Sequence, residues 1–356
     1  MAECRRLYVS RWVLVALVIW CCVGSGLQLQ AAQSLKTVRL GGIEYVNADE
    51  FGARFGLKAT ATNSGRKLLL TSAWTKLELE ADSRECSING LRVFLGDAAW
   101  YYKKSIHISR LDAEKLFTPI LLAGDRDVPV PALRTIVLDP GHGGRDPGKE
   151  NRRLSVNEKT LALDTARRLQ RVLETMGYRV IMTRNEDMAL GPDKVSDLLQ
   201  RATIAKKSGA DLFISLHFNA VGSDAQRVTG LEVYTLTPRG QYSTADPEHD
   251  DDKGAQVANP GNTNDHWNIQ LGYQVHRRMI EELHVTDRGL KRARWAVLRQ
   301  VECPAILVES GFLSNDAEAR KIATPAYRQK IAEAIANGIQ VYGNVLAGVR
   351  KVRGGQ

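Results

Sequence analysis

The segment from residue 134 to residue 148, with the sequence RTIVLDPGHGGRDPG, constrains the fold more than any other part of the chain. Residues 136–138 form an unbroken apolar run, which is typical of a strand buried on both faces. Pro140 and the glycines around His142 then stop the strand. We therefore expect a buried strand that places His142 in a loop at the edge of an α/β sheet, where such sheets carry their functional sites.

Further apolar strands follow, and helical patterns lie between them. YRVIMTR begins at Tyr178 and ADLFISLHFNA begins at Ala210, and each comes after a stretch with apolar residues at helical spacing. GLEVYTL from Gly230 and PAILVES from Pro304 add two more strands. Since strands that alternate with helices form βαβ units, we predict an α/β fold with a mostly parallel sheet and helices on both faces.

A second histidine, His217, ends the strand that begins at Ala210, as His142 ends the first strand. The carboxyl ends of parallel strands meet at one edge of a sheet, so we expect the two imidazoles to lie together. Two imidazoles and one carboxylate make a three-ligand zinc set that leaves the fourth position open to water. His217 taken alone also fits a core histidine with satisfied hydrogen bonds. The sequence lacks HExxH, which excludes the common helix-borne zinc motif.

Two glutamates hold positions that can each be explained in two ways. Glu158 lies in the first turn of a predicted helix, where Ser155-x-x-Glu158 matches a capping box, but a carboxylate there also lies beside the loop of His142. Glu309 directly follows the apolar residues 305–308, and residues 310–312 are expected to turn the chain after it. A carboxylate is costly to bury unless it is paired or protonated, which indicates a function for Glu309; the alternative is a charge that reaches solvent at the sheet edge.

Residues 134–346 together resemble the zinc-dependent N-acetylmuramoyl-L-alanine amidases of type 3. That family has a glutamate ligand at the position of Glu158, so the resemblance implies that His142, Glu158 and His217 bind one Zn²⁺ and that Glu309 is the catalytic general base. It implies peptidoglycan as the substrate, cleavage between N-acetylmuramic acid and L-alanine of the stem peptide, and a role in cell wall remodelling or daughter-cell separation.

Four other residues are candidates for supporting roles. Asp139 and Asn219 are expected to orient the histidines or to touch substrate. Arg201 and Arg292, taken as surface residues, are candidates for binding the carboxylates of the stem peptide. Two other functions stay open, namely a zinc peptidase that cuts within the stem peptide and a catalytically silent wall-binding protein.

The N-terminus has the pattern of a secretory signal. Three arginines precede the apolar residues 12–23, and small and polar residues follow to Ala32. We predict a signal peptide over residues 1–33 and export to the periplasm or cell wall. The alternatives are an uncleaved membrane anchor and lipid attachment at Cys21 or Cys22.

Residues 35–124 are predicted to form a small α+β domain, because short alternating strands there accompany two amphipathic helical stretches. The pattern is similar to the N-terminal domain first described in copper amine oxidases, which implies a wall-binding or spacer module. His107 is expected to be structural. Residues 125–133 are the predicted linker, and residues 347–356 a basic tail. Cys86 and Cys303 are expected to be buried thiols in different domains.

The formal net charge of +9 favours an anionic cell wall or membrane surface as a partner, and after export it excludes nucleic acid; the alternative is a solvated surface that needs no partner.

Residues 239–268 are rich in turn-forming and acidic residues, so we expect a mobile loop. His249 and Asp250 within it are a weaker candidate for a second metal site. In the division amidases of the family an inserted helix here blocks the zinc until a partner protein removes it, but this segment lacks helical periodicity. We expect a monomer, with an activator protein or wall anchoring through the N-terminal domain as further contacts.

Overall fold

The computed structural model describes residues 35–124, 128–244 and 255–354. The predicted signal peptide, His249 and Asp250 lie outside these ranges. Within them, no helix combines the length and the apolar character needed to cross a membrane.

The N-terminal unit, residues 35–124, is made of short strands with one helix after the second strand and one continuous helical segment, residues 110–121, after the last strand. Its strands are β1 Thr37–Leu40, β2 Ile43–Asn47, β3 Lys58–Thr62, β4 Lys67–Thr71, β5 Lys76–Glu80, β6 Glu85–Ile88, β7 Leu91–Phe94, β8 Trp100–Tyr102 and β9 Ser105–Ser109. Its helices are α1 Ala48–Arg54, α2 Arg110–Asp112 and α3 Thr118–Leu121, with a 3₁₀ turn Asn63–Gly65 and a π-helical turn Ala113–Phe117. Asn47 begins α1, since its side chain accepts hydrogen bonds from the backbone of Asp49 and Glu50.

The C-terminal unit follows the predicted order of strands and helices. Its strands are β10 Thr135–Pro140, β11 Glu150–Asn151, β12 Val156–Asn157, β13 Arg179–Met182, β14 Leu212–Asn219, β15 Leu231–Leu236, β16 Asp287–Ala293 and β17 Ala305–Phe312. Its helices are α4 Glu158–Thr175, α5 Lys194–Lys207, α6 Asp265–Leu283, α7 Ala296–Arg299, α8 Asp316–Ala323 and α9 Pro325–Gly354, with a 3₁₀ turn Pro260–Asn264 before α6.

The predicted α/β fold is confirmed, and within the C-terminal unit the sheet is mostly parallel as expected. Strands β13, β10, β14 and β17 are neighbours in that order and run parallel, whereas β15 is antiparallel to β17 and parallel to β16. Alternate side chains of β10 face two cores. Ile136 and Leu138 pack in the core that includes α4, α6 and α9, and Val137 packs in the core that includes α5 and α7. Helices therefore cover both faces.

The sheet continues into the N-terminal unit. Strand β16 pairs in parallel with β7 through Leu290 and Val93, and β7, β6, β5, β4 and β3 follow antiparallel, so that one sheet has eleven strands. Strands β1, β2, β9 and β8 form a separate antiparallel sheet. The predicted boundary at residues 125–133 stays a prediction, because the two units share this sheet and a continuous apolar core.

Side chains of the C-terminal unit hold the segment that joins the two units. Trp267 Nε1 donates to the carbonyl of Pro129 at 2.9 Å, and Arg353 Nη1 donates to the carbonyl of Val128 at 2.7 Å. Residues 347–354, expected to form a basic tail, instead continue α9 and provide this contact.

Three further details differ from the predictions. The loop expected over residues 239–268 is too long, because α6 already begins at Asp265 and buries His266. A turn was expected directly after Glu309, but β17 extends to Phe312, where its pairing with β14 shifts register. Arg292 is not a surface residue: it is 2% exposed and donates to Asp112 at 2.5 Å. Its guanidinium bonds within the fold to Asp112, Gln241 and the carbonyl of Phe94.

The predictions for His107 and Cys86 hold within the described residues, whereas Cys303 is only partly buried. His107 is buried in β9, and its Nδ1 lies 3.2 Å from the carbonyl of Ser105. Cys86 is buried, Cys303 is partly buried, and both thiols are free.

Candidate metal centre

The strand pairing brings His142 and His217 to the same edge of the sheet. In the register, Pro140 at the end of β10 lies opposite Leu216, and His217 lies opposite Glu309. The centroids of the two imidazole rings are 4.9 Å apart. The expected meeting of two imidazoles at the ends of parallel strands is therefore observed, although β14 continues for two residues beyond His217.

Glu158 joins the two histidines through the first turn of α4. Its Oε1 lies 3.0 Å from His142 Nε2 and 2.8 Å from His217 Nδ1. The capping-box alternative is wrong, because Asn157 caps α4 by accepting from the backbone of Thr160, and Ser155 has a left-handed φ of 54°. The side chain of Glu158 is thus free to face the sheet edge.

The cluster is electrostatically coupled. Burial raises the pKa of Glu158, but hydrogen bonds from His142 and His217 and their charges outweigh it and hold that pKa well below the usual range. Burial lowers the pKa of His142, but Glu158 and Asp146 outweigh it and leave the pKa raised. When a cation displaces the protons from the imidazoles, the cluster offers it one anionic and two neutral donors.

The surroundings leave the donor atoms close together and correctly oriented. One ligand atom from each of His142, Glu158 and His217 lies within 4.8 Å of the others. His142 Nδ1 donates to Asp146 Oδ2 at 2.9 Å, which fixes the tautomer that presents Nε2 to a metal. A Cβ atom on Gly148, which has a φ of 64°, would lie 2.5 Å from Glu158 Oε2. The site could therefore hold one metal ion with three protein ligands.

Glu309 lies beside this cluster on β17. Its Oε2 is buried and has no hydrogen-bond partner among the described residues. Burial, followed by the negative charges of Glu158 and Glu232, raises its pKa well above the usual range. A carboxyl group with these properties can hold or release a proton next to the cluster.

The other predicted residues have structural contacts. Asp139 is 1% exposed and accepts hydrogen bonds from Thr183, Ser215 and Arg201. None of these bonds joins Asp139 to His142 or His217. Asn219 Nδ2 donates to Glu232 Oε2 at 3.0 Å.

The prediction that Arg201 lies on the surface is wrong. It is 2% exposed and donates to Asp139, Asp197 and the carbonyls of Pro140 and His142. It cannot bind the carboxylates of a substrate without giving up these bonds.

A cleft of about 750 Å³ opens at the two histidines. Arg145, Lys194 and the 42% exposed Trp295 lie along it, so that the cleft offers positive charge and an aromatic surface.

Asp146, Arg184 and Glu232 were not predicted from the sequence. Asp146 was detectable, because it lies four residues after His142 in the same glycine-rich segment. The contacts of Arg184 and Glu232 join distant parts of the chain, and no local pattern indicates them.

Comparison with known proteins assigns residues 136–341 to a family described as N-acetylmuramoyl-L-alanine amidase, and this match covers more than half of the chain. An N-acetylmuramoyl-L-alanine amidase AmiC of Neisseria meningitidis is 34% identical over 227 residues, which are 59% of this chain and 52% of the relative. AmiA of Salmonella typhimurium is 34% identical over 230 residues, or 59% of this chain and 76% of the relative. The chain thus spans about half the length of some curated relatives.

A crystal structure of an N-acetylmuramoyl-L-alanine amidase from Clostridium difficile 630 is 29% identical, with a TM-score of 0.47 over 59% of this chain and 96% of that one. The family match begins at residue 136, after the N-terminal unit, and the resemblance of that unit to a copper amine oxidase domain stays a prediction.

Proposed function

The chain belongs to the N-acetylmuramoyl-L-alanine amidase family, and from this premise we propose that it hydrolyses the amide bond between N-acetylmuramic acid and L-alanine of the peptidoglycan stem peptide. The observation that carries the proposal is the cluster of His142, Glu158 and His217 with Glu309, whose Oε2 is buried, beside it. Family membership supports the substrate, and the cluster supports the chemistry.

We propose Zn²⁺ as the metal, with His142 Nε2, a carboxylate oxygen of Glu158 and His217 Nδ1 as its ligands. The donor set fits, because two imidazoles and one carboxylate are a ligand combination of catalytic zinc sites that keep one position open. The contact of Asp146 with His142 supports the same assignment, since a carboxylate behind a ligating histidine is the usual arrangement. Bound zinc supplies Lewis-acid activation of water and of the scissile carbonyl.

Glu309 is the proposed general base and acid. In its ionised form it accepts a proton from the attacking water, and in its protonated form it donates that proton to the leaving amine of L-alanine. Its Oε2 makes no hydrogen bond among the described residues, so no protein partner has to be displaced before this oxygen takes up a proton. The factors that raise its pKa favour the protonated form and so support the second step.

The rest of the proposal concerns the whole protein. We propose that it is exported to the periplasm or cell wall, that it acts in wall remodelling or daughter-cell separation, and that the N-terminal unit binds or spaces the wall. The basic residues at the cleft, Arg145 and Lys194, are now better candidates than Arg201 and Arg292 for contact with stem-peptide carboxylates.

The deciding experiment is digestion of purified sacculi by the zinc-loaded protein, with E309Q as the inactive control and mass spectrometry of the products. Intact stem peptides that begin with alanine, left beside glycan strands with unsubstituted lactyl groups, are the expected result. Peptides cut internally would indicate a zinc peptidase instead. The absence of soluble products from zinc-loaded protein would indicate a silent wall-binding protein.

A further inference from the structure

Two buried arginines hold the backbone that carries His142. Arg184 Nε donates to the carbonyl of Pro140 at 3.0 Å, and its Nη2 donates to the carbonyl of Gly141 at 2.8 Å. Arg201 Nη1 also donates to Pro140, at 2.9 Å, and its Nη2 donates to the carbonyl of His142 at 2.8 Å. Each arginine is 2% exposed. Three successive carbonyls are thus bound by two guanidinium groups.

The backbone at His142 needs such support. Its φ is 61°, in the left-handed region that residues with a side chain rarely adopt unless neighbouring structure imposes it. Buried carbonyls also need hydrogen-bond donors, and the strand ladder ends here. The planar guanidinium group, with five donors in fixed directions, can meet several carbonyls at once, whereas an ammonium group cannot match that geometry.

The same two arginines reach the segments that carry Glu158 and His217. Arg184 Nη2 donates to the carbonyl of Lys159, the residue after Glu158, at 2.8 Å. Arg201 Nη1 donates to Asp139 at 2.8 Å, and Asp139 accepts from Ser215 Oγ at 2.8 Å. Ser215 lies two residues before His217 on β14. The hydrogen-bond network therefore connects all three segments with ligating atoms.

We propose that Arg184 and Arg201 are positioning residues that set the mutual placement of His142, Glu158 and His217 for metal binding. This inference rests on the metal site of the proposed function. Both guanidinium groups bond to backbone carbonyls of the ligand-bearing segments, and Arg201 also borders the cleft.

If the two arginines acted only through their positive charge, replacing one of them would strengthen zinc binding, whereas replacing a positioning residue weakens it. Two cationic side chains near a divalent cation oppose its binding, so the loss of one charge would tighten binding if charge were their only influence. Burial and the charge of Arg201 lower the pKa of Arg184 to about 10, which leaves it cationic at neutral pH. If the arginines position the ligands, their replacement weakens binding whether or not the charge is kept.

The test measures the zinc dissociation constant of metal-free protein by competition with a chromophoric chelator. We expect R201K and R184K each to raise it about 10- to 100-fold, the range found when groups behind metal ligands are removed. The absorption spectrum of the Co²⁺-loaded variants should differ from that of the wild type, because it reports ligand geometry. R328K is the matched control: Arg328 is also buried, donates to the carbonyl of Ile322 at 2.8 Å and pairs with Asp164 on α4, but it makes no hydrogen bond to the backbone around His142 among the described residues.

Zinc affinities of R201K and R184K equal to that of R328K would overturn the inference, and so would tighter zinc binding by R201Q. If circular dichroism shows that the arginine variants do not fold, S215A decides by the same measurement, because it removes only the bond between Ser215 and Asp139. A several-fold weaker zinc affinity of S215A supports the inference, and an unchanged affinity overturns it. A wild-type protein that binds no zinc would instead overturn the proposed function.

Discussion

Glu232 and Glu309 lie directly opposite each other on the antiparallel strands β15 and β17, yet only Glu232 is paired. Its two carboxylate oxygens accept hydrogen bonds from Arg288, Lys291, Tyr234 and Asn219. Burial raises the pKa of Glu232, but Lys291 and the other donors outweigh it and leave the pKa lowered. The ionised Glu232 then disfavours a second negative charge on Glu309, whose Oε2 has no partner among the described residues.

The first prediction concerns Glu309 itself. E309Q should retain zinc, because Glu309 is outside the proposed ligand set, and should lose hydrolysis by at least about 10²-fold, since the amide cannot accept or return a proton. Turnover on purified sacculi and zinc content per chain are the two measurements. E302Q, at an exposed glutamate that pairs with Lys206, should leave both unchanged. Wild-type turnover by E309Q would remove the proposed role.

The second prediction is a shift in pH dependence. A general base must be ionised, so kcat/KM should fall as pH falls through the pKa of Glu309. E232Q removes a negative charge and leaves Lys291 and Arg288 without their carboxylate, and both changes lower the pKa of Glu309. The acid limb of the profile should therefore move to lower pH.

Y234F is the matched control for E232Q, because it removes a hydrogen bond of 2.5 Å to Glu232 but keeps the charge. Its acid limb should stay nearer that of the wild type. An acid limb that moves to higher pH in E232Q would contradict the electrostatic coupling of the two glutamates.

The sequence was sufficient to predict the strands that end at His142 and His217, because an apolar run followed by glycine and proline is a local pattern. It also predicted that both would lie at one edge, since βαβ connections make strands parallel. The position of Glu158 required the family resemblance, because the local pattern fits a helix cap equally well.

The environment of Arg201 could not be predicted in this way. Its burial depends on Asp139, which is 62 residues away in the sequence, and an arginine in an amphipathic helix is usually exposed. Arg292 was misjudged for the same reason, since its partner Asp112 belongs to the N-terminal unit, 180 residues away. The sharing of one sheet by the two units is likewise a long-range pairing, through Val93 and Leu290, that no periodicity indicates.

The third prediction tests the proposed ligands. H142A and H217A should each reduce bound zinc from about one ion per chain to a small fraction after dialysis, because two remaining ligands bind zinc weakly. Chelator treatment of the wild type should abolish hydrolysis, and added zinc should restore it. H284N is the control: His284 is exposed, and asparagine tolerates its left-handed φ of 51°. Full zinc content in either alanine variant would mean that the ligand set is wrong.

The fourth prediction concerns two aspartates where the N-terminal unit meets β16. Burial raises the pKa of Asp112, but its ion pair with Arg292 outweighs burial and leaves the pKa lowered. Burial and the charge of Asp112 raise the pKa of Asp97 to about 6. Asp112 therefore contributes stability that is present above its unfolded pKa of about 4 and is lost as pH falls below it. Asp97 contributes stability that is complete below about pH 4 and is lost as pH rises to about 6.

The same isosteric change should consequently have opposite effects at the two positions. At pH 7, D112N should lower the free energy of unfolding by about 3–5 kcal/mol, because it leaves Arg292 buried without its carboxylate, and this deficit should shrink below pH 4. D97N should gain stability relative to the wild type as pH rises from 4 to 6, because the variant lacks the group that must ionise at a partly buried position. Urea unfolding at pH 4, 5, 6 and 7 measures both trends. If D97N and D112N were destabilised equally at every pH, the two carboxyl groups would not differ in ionisation as their surroundings require.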